Sequence, residues 1–312
     1  MSRPVLAIHG GAGTILRSQM TTELESEYRA GLEAALRAGW DILEKGGSSL
    51  DAVESAVCSL EDNPLFNAGR GSVFTHDGKN EMDAAIMHGS TLRAGAVAAI
   101  RGIKNPIKLA RLVMERTEHV LLASYGAVEF GEEMNVELAD DAYFFTQQRW
   151  DQLEEAVAAG RIQLDHGSRP TAGKPFGTVG AVACDAAGGL AAATSTGGMT
   201  NKRFGRIGDT PIIGAGTYAD DTCAVSCTGH GEYFILGVSA YDVVARMRYK
   251  CVPLADAARE TIEHLSEIGG EGGLIAVDGN GNFTLPFNSE GMYRGYANND
   301  GIETAIYSER AV

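Results

Sequence analysis

The stretch HGSRPTAGKPFG at residues 166–177, followed by TVGAVAC at residues 178–184, marks a change in the composition of the chain. The first part is polar and carries two prolines and three glycines without hydrophobic periodicity, which is typical of an exposed linker. The second part consists of small and β-branched residues, which favour a buried strand. The sequence therefore predicts that an exposed connection ends at Gly177 and that a strand begins at Thr178.

Upstream of this linker, hydrophobic periodicity predicts helices interspersed with short strands. Residues 4–8 predict a buried strand, and the glycines of residues 9–13 predict a turn after it. Apolar residues at spacings of three and four predict a helix from Thr22 to Lys45, with Thr22 and Glu25 forming a capping box. Further helices are predicted from Ser48 or Ser49 to Leu60 and near residues 105–115, 125–134 and 149–159, and strands over residues 82–87 and 95–100.

Downstream of the linker, strands dominate the pattern. They are predicted over residues 178–184, 189–196, 223–228, 273–277, 282–286 and 292–297, with helices over residues 232–249 and 254–268. Strands therefore occur in blocks, which argues against the strict alternation of strand and helix in a doubly wound parallel fold. The order fits an α+β fold with two stacked sheets and helices outside them.

The composition limits the classes to which the protein can belong. The chain has 312 residues, of which 44% are hydrophobic, enough for a large core. Its formal net charge of −15 repels phosphate backbones, so no nucleic-acid partner is expected. An anionic substrate would need a local cation, which makes an arginine in the site an expectation.

The cysteines and the amino terminus bear on the compartment. The five cysteines, Cys58, Cys184, Cys223, Cys227 and Cys251, are odd in number and scattered, as expected of free thiols in a reducing environment. The apolar run of residues 5–8 is too short for a signal peptide, and no apolar run reaches the length of a membrane span. The sequence predicts a cytoplasmic protein that does not bind membranes.

Three threonines stand beside glycines at the ends of predicted strands: Thr178, Thr196 and Thr228. Glycine lets another group approach the backbone closely and leaves N–H groups free to face a ligand. A single Thr–Gly pair usually marks a turn. Three of them, each at the end of a strand of small residues, favour a shared site over three unrelated turns.

A glycine-rich loop between these threonines carries Arg206 and Asp209. Arg206 could bind a carboxylate in bidentate fashion while Asp209 binds an ammonium group, so the pair could hold a zwitterion. The spacing alone equally fits an ion pair on the surface, which contributes little to stability.

Other kinds of site find little support. The glycines of residues 9–13 match neither the G-x-G-x-x-G pattern nor a P-loop, so they indicate nucleotide binding only weakly. The seven histidines lack the spacing of zinc ligands.

Taken together, the motifs resemble the plant-type L-asparaginase/isoaspartyl peptidase branch of the N-terminal-nucleophile hydrolases. The matching segments occur in the expected order over nearly the whole chain, at residues 9–13, 63–71, 177–180, 194–202, 205–209, 226–229, 272–275 and 286–288. The resemblance implies a four-layer αββα sandwich formed as a single domain over residues 1–312. It also implies cleavage between Gly177 and Thr178 into an α chain of residues 1–177 and a β chain of residues 178–312, which pair and assemble as a dimer of αβ units.

The resemblance assigns roles to the residues already singled out. Thr178 becomes the nucleophile, Thr196 hydrogen-bonds it, Thr228 and Gly229 form the oxyanion hole, Arg206 and Asp209 bind the substrate's α-carboxylate and α-ammonium groups, and Asn67 and the loop of residues 9–13, which includes Gly11, line the site. The chemistry suits an amino-terminal threonine, because a hydroxyl needs a base and an α-amine, with a pKa of roughly 7.7–8.0, supplies one on the same residue.

The family also holds a structural Na⁺ or K⁺ through backbone carbonyls, which correspond here to Leu60, Glu61, Asn63, Phe66, Ala68 and Arg70. No catalytic cofactor is expected. Two positions depart from the family pattern: His230 stands where relatives often have threonine, and Arg70 replaces a commonly apolar residue. Both bear on fine specificity rather than on the class of reaction.

Three alternatives remain open at this point. A glycosylasparaginase-like amidase would favour a secreted, disulfide-bearing chain. A small-molecule kinase would need Lys and Mg²⁺-binding carboxylates in defined places, and a non-catalytic amino-acid-binding protein would use only Arg206 and Asp209. The sequence does not rank L-asparagine against isoaspartyl dipeptides as substrates, since both present the same α-amine and α-carboxylate.

Overall fold

A computed structural model describes residues 2–160 and 177–308 of the chain. Its strands are β1 (Val5–Gly13), β2 (Met82–His88), β3 (Arg93–Ile100), β4 (Leu121–Ala123), β5 (Val179–Cys184), β6 (Leu190–Thr196), β7 (Thr217–Ala219), β8 (Cys223–Gly229), β9 (Gly272–Asp278), β10 (Phe283–Thr284), β11 (Gly291–Asn298) and β12 (Gly301–Tyr307). Its helices are α1 (Thr22–Glu44), α2 (Ser49–Glu61), α3 (Pro106–Arg116), α4 (Ser124–Glu133), α5 (Asp141–Phe144), α6 (Gln147–Ala158), α7 (Gly231–Gly237), α8 (Ser239–Lys250) and α9 (Leu254–Glu267).

The strands form two sheets. One has the order β12-β11-β1-β5-β6-β2-β3-β4, and the other has the order β10-β9-β8-β7. Neighbouring strands are antiparallel except for β3 and β4, which run parallel. Helices α1, α2 and α3 pack on the larger sheet, and α8 and α9 pack on the smaller one.

The alternation of side chains along each strand builds the layers. On β1, Leu6 and Ile8 face the core under α1 and α2, whereas Val5 and Ala7 face the core between the sheets. On the smaller sheet, Ile275 and Val277 of β9 join the core between the sheets, while the intervening residues pack against α8 and α9. Since successive side chains of a strand point to opposite faces, each central strand serves two cores. The predicted four-layer αββα sandwich is confirmed.

The start of α1 differs from the prediction by one residue. The capping side chain belongs to Thr21, which has an extended backbone and accepts a hydrogen bond from Leu24 N at 3.1 Å. Thr22 already lies in the first turn, so the predicted capping box of Thr22 and Glu25 is wrong. Two adjacent threonines offer the same chemistry, and only the backbone angles decide between them.

Residues 9–13 form no turn, contrary to prediction. They continue β1, whose pairing with β11 shifts between His9 and Gly11 in a β-bulge. Pairing of β1 with β5 ends at His9 and Gly180, so the glycines after the bulge extend past the end of β5. Ladder hydrogen bonds to the neighbouring strands outweigh the weak strand preference of glycine here.

The remaining differences are local. The helix predicted over residues 232–249 is two helices, α7 and α8, separated at Val238, which has a φ of +48°. Strands β4, β7 and β12 and helix α5 were not predicted, because their short or mixed patterns carry little periodicity. The predicted linker, residues 166–177, lies outside the described residues except for Gly177.

The structure bears on two of the predictions, which concern membrane spans and the state of the cysteines. In the described ranges, no helix combines the length and apolar character needed to cross a bilayer. All five cysteines fall within those ranges and are free thiols.

Candidate active site

Thr178 immediately precedes β5 and is largely buried, with 8% of its surface exposed. Its hydroxyl donates a hydrogen bond to Thr196 Oγ1 at 3.1 Å. Thr196 ends the neighbouring strand β6, and the pairing of Val179 with Ser195 brings the two threonines side by side. Thr196 Oγ1 also accepts from Gly198 N at 3.0 Å, which fixes the direction in which it receives the Thr178 hydroxyl.

Gly177 sits in a conformation and a space that suit only glycine. Its φ is +109°, in the region that side chains rarely adopt. A Cβ built at Gly177 would collide with the Cα of Gly11, the residue after the bulge of β1. The bulge therefore brings Gly11, a predicted site residue, against the predicted cleavage position.

Thr228 and Gly229 approach the same bulge from the smaller sheet. Thr228 Oγ1 accepts a hydrogen bond from Ala12 N at 3.3 Å, so its own hydroxyl hydrogen can point elsewhere. Gly229 has a φ of +143°, and a Cβ there would collide with the carbonyl oxygen of Glu271. Gly177 packs on Gly11, and Thr228 contacts the next residue, so the threonine pair and the predicted oxyanion residues lie at one segment of β1.

Both polar atoms of the Asn67 side chain form hydrogen bonds to backbone groups. Its Nδ2 donates to Gly198 O at 2.8 Å, and its Oδ1 accepts from Val73 N at 3.0 Å. Because Gly198 N also bonds Thr196, Asn67 supports the turn that orients the partner of Thr178. A Cβ at Gly198 would lie 3.6 Å from Arg206 Nη1, so the same turn adjoins the arginine predicted to bind the substrate carboxylate.

The structure brings Arg206 and Asp209 together over Gly231. A Cβ built at Gly231 would lie 2.7 Å from Asp209 Oδ1 and 2.9 Å from Arg206 Nη2. Asp209 is buried, and its Oδ2 has no hydrogen-bond partner among the described residues. Burial raises the pKa of Asp209 to about 7, although the charge of Arg206 opposes the shift. A buried carboxylate oxygen without a partner suits a positively charged ligand.

Arg206 has a carboxylate partner that sequence reasoning missed. Its Nε and Nη2 donate to the two carboxylate oxygens of Glu232, each at 2.9 Å. Burial acts to raise the pKa of Glu232, but hydrogen bonds and charge from Arg206 hold it below its usual value. His230 Nε2 lies 3.5 Å from the same carboxylate, and burial lowers the pKa of that imidazole. Glu232 stands four residues after Thr228, and this proximity was the only hint in the sequence.

Comparison with known proteins agrees with this arrangement. The sequence profile of the asparaginase family matches residues 2–306. The chain belongs to the asparaginase family. It is 52% identical over 314 residues to the isoaspartyl peptidase of Salmonella typhimurium, covering 99% of this chain and 100% of that one. It is 50% identical over 315 residues to the isoaspartyl peptidase of Escherichia coli (99% and 98%), and 45% identical over 295 residues to the plant-type L-asparaginase of Pyrococcus abyssi (92% and 94%).

Membership of the asparaginase family makes the chain a hydrolase and an amidohydrolase. The predicted resemblance is confirmed. A small-molecule kinase and a non-catalytic binding protein, two of the alternatives left open by the sequence, do not agree with this family. The fold is the one expected of an asparaginase-family enzyme.

A buried histidine from the matched segment of residues 9–13 adjoins Thr178, the predicted nucleophile. His9 Nδ1 lies 2.9 Å from Thr178 O, and His9 Nε2 lies 2.9 Å from Ser226 Oγ. Burial lowers the pKa of His9 to about 3, so the ring is neutral at physiological pH. The resemblance placed His9 in the loop of residues 9–13 that lines the site, but it gave the imidazole no role of its own.

The loop after α2 fits the alkali-metal site that the asparaginase family implies. A Cβ at Gly69 would collide with the carbonyl oxygen of Glu61, and one at Gly71 with the carbonyl oxygens of Phe66 and Pro64. Glycines thus leave room where carbonyl oxygens crowd together, as hard cations require. In the described part of the chain, no backbone N–H donates to the carbonyl oxygens of Glu61 and Arg70.

No group of three or more His, Cys, Asp or Glu residues that could hold a metal occurs in the described ranges. The carboxyl group of Glu61 is buried and accepts from Ser195 Oγ at 2.6 Å, and burial raises its pKa to about 8. Arg70 points away over the ring of Tyr143, at 5.6 Å from its centroid. The predicted cation ligands are the backbone oxygens of this loop.

Proposed function

We propose that the chain cuts itself between Gly177 and Thr178 and then uses Thr178 to hydrolyse β-aspartyl amide bonds. The observation that carries this proposal is the Thr178 hydroxyl on Thr196, next to a Gly177 that packs against Gly11. The names of the relatives support the substrate class, which comprises isoaspartyl dipeptides and L-asparagine. An N-terminal threonine nucleophile explains why a buried Thr–Thr pair lies directly after a linker.

In self-cleavage, Thr178 Oγ attacks the carbonyl carbon of Gly177. The C–N bond breaks, the nitrogen takes up the hydroxyl proton, and the Gly177 acyl group is left as an ester on Thr178. Water then hydrolyses the ester and leaves a carboxylate on Gly177 and a free amine on Thr178. Glycine at position 177 supports this step, because it adopts a φ of +109° directly before Thr178 without the steric cost that a side chain would add.

In turnover, the free α-amine of Thr178 takes the proton of its own hydroxyl as Oγ attacks the side-chain amide of the substrate. The leaving amine receives that proton, and the acyl-enzyme is hydrolysed by water with the same amine as base. The Thr228 hydroxyl and the Gly229 N–H stabilise the oxyanion. Loss of one such donor typically costs about 2.7–4 kcal/mol in the barrier.

Substrate recognition falls to Arg206 and Asp209. The partnerless Oδ2 of Asp209 accepts the α-ammonium group, and the positive charge lowers the pKa of Asp209 from its raised value. Arg206 binds the α-carboxylate, which competes with Glu232 for the guanidinium group. Both β-aspartyl dipeptides and L-asparagine carry these two groups, so both can bind to Arg206 and Asp209.

The same proposal includes several features of the assembled enzyme. The carbonyls of Leu60, Glu61, Asn63, Phe66, Ala68 and Arg70 would hold a structural Na⁺ or K⁺, which shapes the loop that carries Asn67. The α and β chains would pair and then dimerise, and the location would be the cytoplasm. A glycosylasparaginase-like specificity is the alternative within the superfamily.

A denaturing gel tests the central step. The wild-type chain is expected to give two bands of 177 and 135 residues (312 − 177 = 135), the smaller with threonine at its amino terminus. Thr178→Ala is expected to give one full-length band without isoaspartyl peptidase activity. Thr261→Val, which changes another buried threonine on α9, serves as the control and is expected to cleave normally. Wild-type protein that stays intact and yet hydrolyses substrate would refute the proposal.

A further inference from the structure

The hydrogen bonds of His9 fix the position of its proton. The carbonyl oxygen of Thr178 can only accept, so His9 Nδ1 must carry the hydrogen of the 2.9 Å bond. Nε2 is then an acceptor, and the Ser226 hydroxyl must donate to it. Because His9 is fully buried and neutral, this tautomer does not change over the physiological pH range.

The tautomer of His9 also determines which of the next buried hydroxyls donate and which accept. Since Ser226 donates to His9, it accepts from the hydroxyl of Thr194 at 2.7 Å. Thr217 Oγ1 lies 2.6 Å from Thr194 Oγ1, whose own hydrogen goes to Ser226, so the Thr217 hydroxyl donates to Thr194. Thr210 O, at 3.1 Å, is a second acceptor for the same hydrogen. The chain of bonds begins at Thr178, passes back and forth between the larger and the smaller sheet, and has one consistent direction. Buried polar networks with all members satisfied are rigid.

The backbone of β5 makes room for this chain of bonds. Gly180 is the register partner of His9. A Cβ built at Gly180 would collide with the Ser226 hydroxyl and with the imidazole of His9. A glycine inside a central strand lowers its stability, and here it provides the gap through which the bond between His9 and Ser226 passes.

Thr178 has few other restraints on its backbone. The pairing of β5 with β1 begins at Gly180, and its pairing with β6 begins at Val179, so Thr178 lies just outside both ladders. If the proposed cleavage is correct, the peptide bond on its amino side is also lost. Within the described part of the chain, the mature residue then keeps the hydrogen bond from His9 to its carbonyl and the hydrogen bond from its hydroxyl to Thr196.

We propose that His9, oriented by Ser226, is a positioning residue that holds the main chain of Thr178 so that its amine and hydroxyl stay aligned for catalysis. This inference rests on the proposed function of Thr178. His9 has no contact with Arg206 or Asp209, so its loss affects kcat and leaves KM unchanged. The same restraint aligns Thr178 with Gly177 before cleavage, so self-cleavage slows as well.

The test compares four purified full-length variants with the wild type, using β-aspartyl-leucine as substrate. His9→Phe removes both ring nitrogens at similar volume, and His9→Asn retains an N–H group near the position of Nδ1. Ser226→Ala removes the donor to Nε2. Thr261→Val removes a buried hydroxyl that bonds Asp242 on the far side of the smaller sheet, and controls for general loss of stability. Self-cleavage, kcat, KM and the melting temperature are measured for each.

For His9→Phe we expect self-cleavage and kcat to fall at least about tenfold while KM stays within about twofold, as for loss of alignment of a reacting group. His9→Asn is expected to recover most of that loss. Ser226→Ala is expected to lower kcat about threefold to tenfold, because an unpartnered Nε2 weakens the preference for the required tautomer. His9→Phe that folds but stays uncleaved, while His9→Asn matures, supports the inference equally.

Three outcomes would overturn the inference while leaving the proposed function intact: wild-type kcat in folded His9→Phe, equal losses in His9→Asn and His9→Phe, or an equal loss of kcat in Thr261→Val. If His9→Phe does not fold, Ser226→Ala decides, and an unchanged kcat there counts against the role of His9. A wild-type chain that neither cleaves itself nor hydrolyses the dipeptide would instead refute the function proposed for Thr178.

Discussion

At the scale of single residues, the site contains a carboxylate where a substrate carboxylate is expected. Glu232 occupies two of the nitrogens of Arg206, while Asp209 has an oxygen without a partner in the described part of the chain. Under the proposed function, the ammonium-binding oxygen of Asp209 is therefore open, whereas Arg206 must exchange Glu232 for the substrate carboxylate.

Glu232→Gln is expected to lower KM for β-aspartyl dipeptides about twofold to fivefold, the factor that corresponds to the free energy of a partly exposed ion pair. The amide keeps the shape of the side chain and removes the charge that competes with the substrate for Arg206. Steady-state kinetics at low salt measure the effect. Glu260→Gln removes a comparable carboxylate partner of Arg246 on α8 and α9 and should leave KM unchanged. A raised KM in Glu232→Gln would mean that Glu232 orients Arg206 instead of competing for it.

Sequence reasoning found the residues whose neighbours along the chain are informative. Thr178, Thr196 and Thr228 stand beside glycines at strand ends, and Arg206 and Asp209 share one loop. The contact between His9 and Ser226 was not predicted, because it joins positions 217 residues apart, and a histidine or serine inside an apolar strand has no distinctive pattern. Such contacts become visible only in the structure, where strands of the two sheets pack against each other.

At the scale of elements, the bulge in β1 decides the geometry of the site. It carries the backbone past the end of β5, where Gly11 meets Gly177 and Ala12 meets Thr228. From the sequence these glycines predicted a turn, since local preference does not report that a strand has partners on both sides. The order of strands and helices was predictable because periodicity survives in long elements, whereas the short β4 and β7 lack it.

Gly177→Ala is expected to slow self-cleavage at least about tenfold, because the methyl group meets Gly11 and displaces the carbonyl from the Thr178 hydroxyl. The conformation itself adds a cost of about 1–3 kcal/mol. Band intensities on a denaturing gel over time give the rate. Gly160→Ala is the matched control, since Gly160 has a φ of +62° but open space around its Cβ position. Cleavage slowed equally in both variants would assign the effect to backbone angle rather than to the contact with Gly11.

At the scale of the whole molecule, the parts of the chain before and after the proposed cleavage position both contribute strands to the larger sheet. Strand β1, from the amino-terminal side, lies between β11 and β5, both from the carboxy-terminal side, and β2 pairs with β6 across the same division. The larger sheet thus has three junctions between the two parts, each made of a ladder of backbone hydrogen bonds.

Scission at a single point therefore produces no separable pieces. The 177-residue and 135-residue products are expected to elute together from a size-exclusion column in native buffer and to part only in denaturant, since removing either one would expose three unpaired strand edges. Elution of two separate peaks without denaturant would contradict this topology. In such an architecture, cleavage would change only the end groups of the chain, because both parts stay paired in one sheet. The new amino terminus would therefore form already at its position in the site.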